Sequence, residues 1–307
     1  MPIQFAVLAS GSRGNATLVR AEGAGLLIDF GIGPRAIAQR LESVGAAWDH
    51  VASALLTHTH GDHVDENAFR TLAKHKVTLH CHEGHRAELA RYDAFEALST
   101  LGLVRCYDER PFLTPGGMRV EPLALSHDGG PTFGFRLEAR PTRKARPVSL
   151  GYLADTGCWT ETMADALTDV DLLGVEFNHD VAMQKASPRS PHLIARNLGD
   201  RGHLSNDQGA GFVGAVLDRS SPGAVRHLVL LHLSQQCNDP ALAVQSAHAV
   251  LRGRGRRVNV HAALQAPAHP NLSVEPRRRH RVASKQARRP HASRPEELSL
   301  FPAEAWG

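Results

Sequence analysis

The segment Thr57-His58-Thr59-His60-Gly61-Asp62-His63 directly follows an apolar run, Val51–Leu56. In extended backbone, side chains two positions apart point the same way, so His58 and His60 can present two imidazoles to a single ion. Gly61 permits a tight turn. Asp62 and His63 then leave in another direction and can reach a second ion close by. Imidazoles together with a carboxylate suit zinc, manganese or iron, and the order of affinity favours zinc over manganese. A lone polar histidine is ordinarily a surface residue, but a cluster this dense at a strand end points to a metal role.

The chain around this cluster is 307 residues long and 42 % apolar, enough to bury a sizeable core. Aromatics make up only 5 %, so that core is built from Val, Leu, Ile and Ala. No apolar run approaches the roughly 18 residues that span a bilayer. Met1–Leu8 reads as a strand and lacks the basic and long apolar regions of a secretory signal. Cys81, Cys106, Cys158 and Cys237 are scattered, without a C-x-x-C pair, as expected of reduced thiols in a cytoplasmic protein.

Strands are expected at Gln4–Ala9 and Gly25–Asp29, with a Ser/Gly-rich turn between them. A helix follows, with Pro34 as its first residue, Ile37, Leu41 and Val44 on one face and Gly45 at its end. After the strand Val51–Leu56 come an amphipathic helix carrying Phe69, Leu72 and Ala73, the strand Val77–Cys81 and a further helix. The centre is strand-rich, with Val104–Tyr107, Met118–Leu125, Phe133–Glu138 and Val148–Ala154. Helix and strand then alternate: Thr160–Leu167, Asp171–Phe177, Ser205–Leu217, Leu228–Leu233, and a helix opened by Asp239-Pro240. Such a pattern predicts an α/β domain with two stacked sheets and helices outside.

Beyond Leu264 the composition shifts to Pro, Arg, His and Ser. The expected organisation is therefore one domain over 1–264 and a disordered basic tail over 265–307. From Arg252 onward there are 12 basic and 4 acidic residues, against 23 basic and 27 acidic in residues 1–251. The excess of positive charge thus belongs to the C-terminal end. It is either a solvated appendage or an arm for nucleic acid.

The His-x-His-x-Asp-His pattern after an apolar strand resembles the metallo-β-lactamase superfamily, which implies a four-layer αβ/βα sandwich and two divalent metal ions, Zn or Mn. The resemblance extends residue by residue. Asp29 in Leu27-Ile28-Asp29-Phe30-Gly31 matches the early aspartate that orients the metal loop. His127 matches the third ligand of the first site, Asp155 the carboxylate bridging the ions, and His232 the last ligand of the second site. The implied ligands are His58, His60, Asp62, His63, His127, Asp155 and His232.

Further segments resemble the YycJ (WalJ) group, described as DNA exonucleases acting on duplex ends. They are Leu8-Ala9-Ser10-Gly11-Ser12-Arg13-Gly14-Asn15, Glu176-Phe177-Asn178-His179-Asp180 and Gly202-His203-Leu204-Ser205-Asn206. The resemblance covers about residues 3–250. Arg13 and Phe177 stand where many members have serine, and the chain after Leu264 has no counterpart there. By this resemblance Asp62 and His203 are candidate catalytic residues. Ser10, Gly11, Ser12, Asn15, Asn178, His179 and Asn206 are candidate substrate-binding residues. Each segment has a plainer reading as well: a tight hairpin for the Ser/Gly turn, a satisfied turn for Asn178 and His179, a helix cap for Ser205.

The reaction so implied is hydrolysis of a nucleic-acid phosphodiester by hydroxide bridging the two ions, with His203 holding the phosphate or protonating the leaving oxygen. Little sequence preference is expected, because phosphate contacts position a strand without reading it. The alternatives are hydrolysis of a small thioester, lactone or cyclic phosphodiester at the same ions, and an inert binding module. The presence of all seven ligand candidates argues against the latter.

Overall fold

The computed structural model describes residues 2–277 apart from Glu22, Pro141, Arg143 and Lys144. The residues up to Arg277 form one compact unit. Its first sheet contains β1 (Ile3–Ala9), β2 (Ala16–Ala21), β3 (Ala24–Ile28), β4 (Val51–Leu55), β5 (Thr78–His82) and β6 (Val104–Tyr107). The second contains β7 (Phe112–Leu113), β8 (Arg119–Leu125), β9 (Thr132–Ala139), β10 (Val148–Leu153), β11 (Leu172–Glu176), β12 (His227–Leu231) and β13 (Asn259–Ala262). The last strand, β14 (Asn271–Val274), returns to the first sheet and pairs antiparallel with β1. Each sheet has an antiparallel half and a parallel half, β3-β4-β5-β6 in one and β10-β11-β12-β13 in the other.

Three apolar layers hold the unit together. Between the sheets, Phe5, Val7, Leu26, Phe135, Leu150, Tyr152 and Val229 pack in one buried cluster. Outside the first sheet lie α1 (Pro34–Ser43), α2 (Glu66–Lys74), α3 (Arg86–Leu89) and α4 (Asp93–Thr100). Ile37, Leu41, Phe69, Leu72, Phe95 and Leu98 point from three of them into the sheet. Outside the second sheet lie α5 (Glu161–Ala166), α8 (Asn206–Arg219) and α9 (Pro240–Gly253), while α6 (Val181–Ala186) and α7 (Pro191–Leu198) lie in the connection after β11. Here Met163, Phe212, Val216, Ala247 and Leu251 pack on Leu153, Leu173 and Leu228. Truncating a fully buried ring such as Phe5 or Phe212 in layers this dense costs about 3–5 kcal/mol. The predicted αβ/βα sandwich is what the chain builds.

Local chemistry sets the helix limits as expected. Pro34 opens α1, and Gly45 beyond its end has a φ of 74°, open to glycine without penalty. Asp239 caps α9 by accepting from the Ala241 N–H, with Pro240 at the first helical position.

Four features depart from the sequence reading. The Ser/Gly turn is followed by a separate strand, β2, whose mixed residues Ala-Thr-Leu-Val-Arg-Ala gave no clear alternation. Two short helices, α6 and α7, occupy a stretch read only as connection. The second sheet has an extra strand at each edge, β7 and β13. The fold also runs past Leu264, because β14 covers the open edge of β1. The rest of the expected tail, 278–307, lies outside the described residues. No helix among the described residues is long and apolar enough to cross a membrane.

Candidate metal centre

The parallel strands β4, β10, β11 and β12 all end at one edge of the sandwich, and the chemistry collects there, as it does at strand C-termini in other α/β sheets. After β4, Asp29 organises the loop. Its buried carboxylate accepts from the Thr57 N–H at 2.8 Å, from the Thr57 hydroxyl at 2.9 Å and from His63 Nδ1 at 2.7 Å. His58 Nδ1 lies 3.0 Å from the same hydroxyl. With that hydroxyl donating to Asp29, His58 Nδ1 carries the hydrogen it offers to Thr57. Both rings therefore turn Nε2 lone pairs toward the centre, the arrangement that orients histidine ligands in metal sites.

Two donor sets adjoin. His58, His60 and His127 converge on one side, each offering an atom within 4.8 Å of the others. His127 is steadied by donating from Nδ1 to the Gly202 carbonyl at 2.9 Å, which leaves its Nε2 3.2 Å from His60 Nδ1. Asp62, His63 and His232 form the other set. Asp155 stands between the two, grouped with His58 and His63 and, separately, with Glu176, His203 and His232. Its Oδ2 is 3.0 Å from His63 Nε2 without hydrogen-bond alignment.

The chemistry of these donors fits a pair of divalent cations. His58 Nε2 and His232 Nε2 are buried and have no hydrogen-bond partner, which is costly unless something else engages them. The carboxylates of Asp29, Asp62, Asp155 and Glu176 surround the histidines, a charge balance made for cations. Burial would raise Asp155, but His232 and His63 outweigh it and hold its carboxyl well below the usual range. Burial, with His63 adding to it, pushes His58 well below an ordinary imidazole, whereas against burial Asp29 and Asp155 hold His63, and Asp155 holds His232, well above one, protons that bound cations would displace.

The backbone is strained at the same places. Asp29, Asp155 and His232 have φ values of 58°, 60° and 54°, the left-handed region that side chains other than glycine avoid. Each sits just past a strand end, where the turn aims its side chain inward. Such strain persists only where surrounding packing enforces it, typically at functional sites.

Residues 26–232 match the family described as the beta-lactamase superfamily domain. The chain belongs to that superfamily. As one of its metal-dependent hydrolases it joins two named relatives. It is 28 % identical over 246 residues to the exodeoxyribonuclease WalJ of Streptococcus pneumoniae, covering 78 % of this chain and 85 % of the relative. It is 29 % identical over 262 residues to the exodeoxyribonuclease YycJ of Bacillus anthracis, covering 83 % and 91 %. Among solved structures, the metallo-β-lactamase fold protein YhfI of Bacillus subtilis superposes with a TM-score of 0.60 at 16 % identity, over 88 % of this chain and 99 % of that one.

For the superfamily hydrolase the seven ligand candidates of the sequence reading fall in one cluster. The candidate substrate residues divide. Ser12 and Asn178 line a cavity of about 310 Å³ beside the cluster, together with the candidate catalytic residue His203 and with His232 and Ser234. Asn15 does not face it. Its amide is buried, bonded to Gly11 on both faces and 3.0 Å from His63 Nε2, so it ties the Ser/Gly turn to the metal loop. Ser10 likewise accepts from the His232 N–H at 2.7 Å, and Gly11 is crowded by the Gln265 side chain. Asn206 exchanges amide hydrogen bonds with Asn238 in the interior and does not line the cavity. His179 is buried, with neither ring nitrogen bonded, and burial pushes its imidazole down to about 4.

Glu176 was not singled out from the sequence, although it carries much of the site. It accepts from His203 Nδ1 at 2.8 Å, His232 Nδ1 at 2.9 Å and the Thr156 N–H at 2.9 Å. The available signal was a lone carboxylate closing the apolar run Leu-Leu-Gly-Val. Gln265 was also missed. It accepts from the Arg13 N–H at 3.1 Å and donates to the Gly14 carbonyl at 2.8 Å, bracing the Ser/Gly turn from the C-terminal segment.

Proposed function

We propose that the protein is a two-metal phosphodiesterase of nucleic acid, a DNA exonuclease. The observation that carries this reading is His203, fixed by Glu176 at the mouth of a cavity that also borders His232. Its support from similarity is the pair of relatives named exodeoxyribonuclease.

His58, His60 and His127 would hold one ion, and Asp62, His63 and His232 the other, with Asp155 between them. Two divalent ions held there, Zn or Mn, would supply hydroxide at neutral pH and stabilise charge on phosphate oxygens. The chain's own residues do the rest. Asp62, held at the loop tip by the Asn15 N–H bond to its carbonyl at 2.7 Å, directs the attack. His203 donates Nδ1–H to Glu176, and with Nε2 protonated as well the ring can donate to the phosphate or pass that Nε2 proton to the leaving oxygen. Leu193 from α7 and Ser12 from the Ser/Gly turn line the cavity that would receive the strand end. Pockets of this volume lie at the small end of those that hold ligands.

The test incubates the protein with end-labelled duplex DNA, single-stranded DNA and RNA in added manganese or zinc. An Asp62→Ala, His63→Ala double variant is the control. The expected result is metal-dependent release of mononucleotides from DNA by the unmodified protein alone. Turnover of thioesters, lactones or cyclic phosphodiesters but of no nucleic acid would reassign the site to a small-molecule hydrolase.

A further inference from the structure

The cavity beside the cluster is lined by two arginines in contrasting states. Arg196, on α7, is neutralised: its Nη2 donates to Asp128 Oδ1 at 2.8 Å and its Nε to the other oxygen of that carboxylate. Arg189, on the link between α6 and α7, makes four bonds to the two of Arg196, but to neutral groups alone. Nη1 donates to Gln184 Oε1 at 3.3 Å, Nη2 to Gln236 Oε1 at 3.1 Å and to Ser234 Oγ at 3.5 Å, and Nε to Gln236 at 3.3 Å. Among the described residues no carboxylate lies within ion-pair distance of it.

This environment holds the guanidinium in place without cancelling its charge. Gln184 is fully buried in α6, and α6 is itself fixed by Asp180 capping the Met183 N–H at 2.8 Å. Ser234 follows His232 by two residues, so the cation is tied to the strand end that supplies a candidate ligand. A planar guanidinium pre-positioned by neutral acceptors is suited to a phosphate oxygen pair.

We infer that Arg189 is a phosphate-binding residue, holding the strand phosphate next to the one hydrolysed at the ions. This rests on the nucleic-acid reading above. The phosphate is either a terminal monoester on the strand end or the neighbouring internal diester. The chemistry at Arg189 is the same for both, and the substrates below separate them.

The test measures KM and kcat on duplexes with 5′-phosphate and 5′-hydroxyl ends, over a range of salt, for the unmodified protein, Arg189→Gln and Arg189→Lys. Arg189→Gln is expected to raise KM for the preferred duplex about tenfold and to lower the slope of log KM against log salt by about 1, as loss of one phosphate contact does. Arg189→Lys keeps the slope and most of the affinity. An effect confined to the 5′-phosphorylated duplex assigns the terminal monoester, and an equal effect on both assigns the internal diester. An unchanged salt slope in Arg189→Gln overturns the inference while leaving the nuclease reading intact. Lack of DNA cleavage by the unmodified protein instead defeats the nuclease reading on which it rests. A measurement independent of variant folding uses phenylglyoxal on the unmodified protein, mapped by mass spectrometry. A 5′-phosphorylated dinucleotide should slow modification of Arg189, and equal labelling with and without it counts against the proposal.

Discussion

Glu176 Oε1 lies 2.8 Å from His203 Nδ1 and 2.9 Å from His232 Nδ1, so one buried carboxylate oxygen orients a candidate catalytic histidine and a candidate ligand together. Glu176→Gln keeps one acceptor oxygen but removes the charge that two ring N–H groups share, and it sets an NH2 donor against the Thr156 N–H. Activity is expected to fall about 10–100-fold, with kcat affected more than KM, since such supporting groups carry that much weight. Metal content measured on the same preparations separates the two histidines: His232 is disturbed if metal is lost, His203 alone if it is retained. Unchanged kcat would show that Glu176 is dispensable.

Asp29 acts one layer further out. Asp29→Asn leaves the Thr57 N–H contact possible but weakens the bond to His63 Nδ1 at 2.7 Å. Metal affinity should fall about 10–100-fold with the fold preserved. Competition with a chelator, followed by circular dichroism, reads both.

The turn at Gly31 permits no side chain. A methyl group there would overlap the Asp62 carbonyl and crowd the His63 backbone nitrogen. Gly31→Ala should therefore displace the Asp62-His63 loop and lower stability by about 1–3 kcal/mol or more. Thermal unfolding and metal content check it, and a variant that binds metal normally would contradict the tight packing described.

Two buried histidines away from the cluster make stability depend on pH. Burial pushes His80 and His85 down to about 4 from an ordinary 6.5. His85 Nε2 donates to the Pro131 carbonyl at 2.7 Å while Nδ1 accepts from the His82 N–H, so the neutral ring is fully bonded and a second proton has no place. Between those pH values the unfolded chain binds protons that the folded one does not. Stability is thus complete above about pH 6.5 and declines as pH falls toward 4, by on the order of 2–3 kcal/mol per group. Urea unfolding at pH 7.5 and 5 should show this decline, and the deficit of His85→Gln relative to the unmodified protein should shrink at the lower pH. A constant deficit would contradict it.

The segment 278–307 holds seven basic and three acidic residues. If it serves as an arm for nucleic acid, a chain ending at Arg277 binds DNA more weakly and with a flatter salt dependence. An unchanged salt slope would show that the segment takes no part.

The metal cluster was legible because its logic is local: alternate residues of a strand share a face, and histidines with a carboxylate declare their chemistry. Glu176 was half legible, as a charge ending an apolar strand. Asn15 and Asn206 read as substrate residues because sequence shows an amide but not its partner, here His63 and Asn238. Arg189 was invisible, since what distinguishes it from Arg196 is the absence of a carboxylate brought near by folding. β14 was hidden by its Pro- and Arg-rich neighbours, and its pairing with β1 depends on a contact across the whole chain.

The central claim is that the cluster holds two ions with Asp155 between them. The most direct measurement is metal quantification by mass spectrometry on the unmodified protein and on Asp155→Ala, after equilibration with zinc or manganese. Two ions per chain, falling to one or none in Asp155→Ala, is the predicted result. A chain that binds no metal, or an Asp155→Ala variant that retains both ions, would contradict the account.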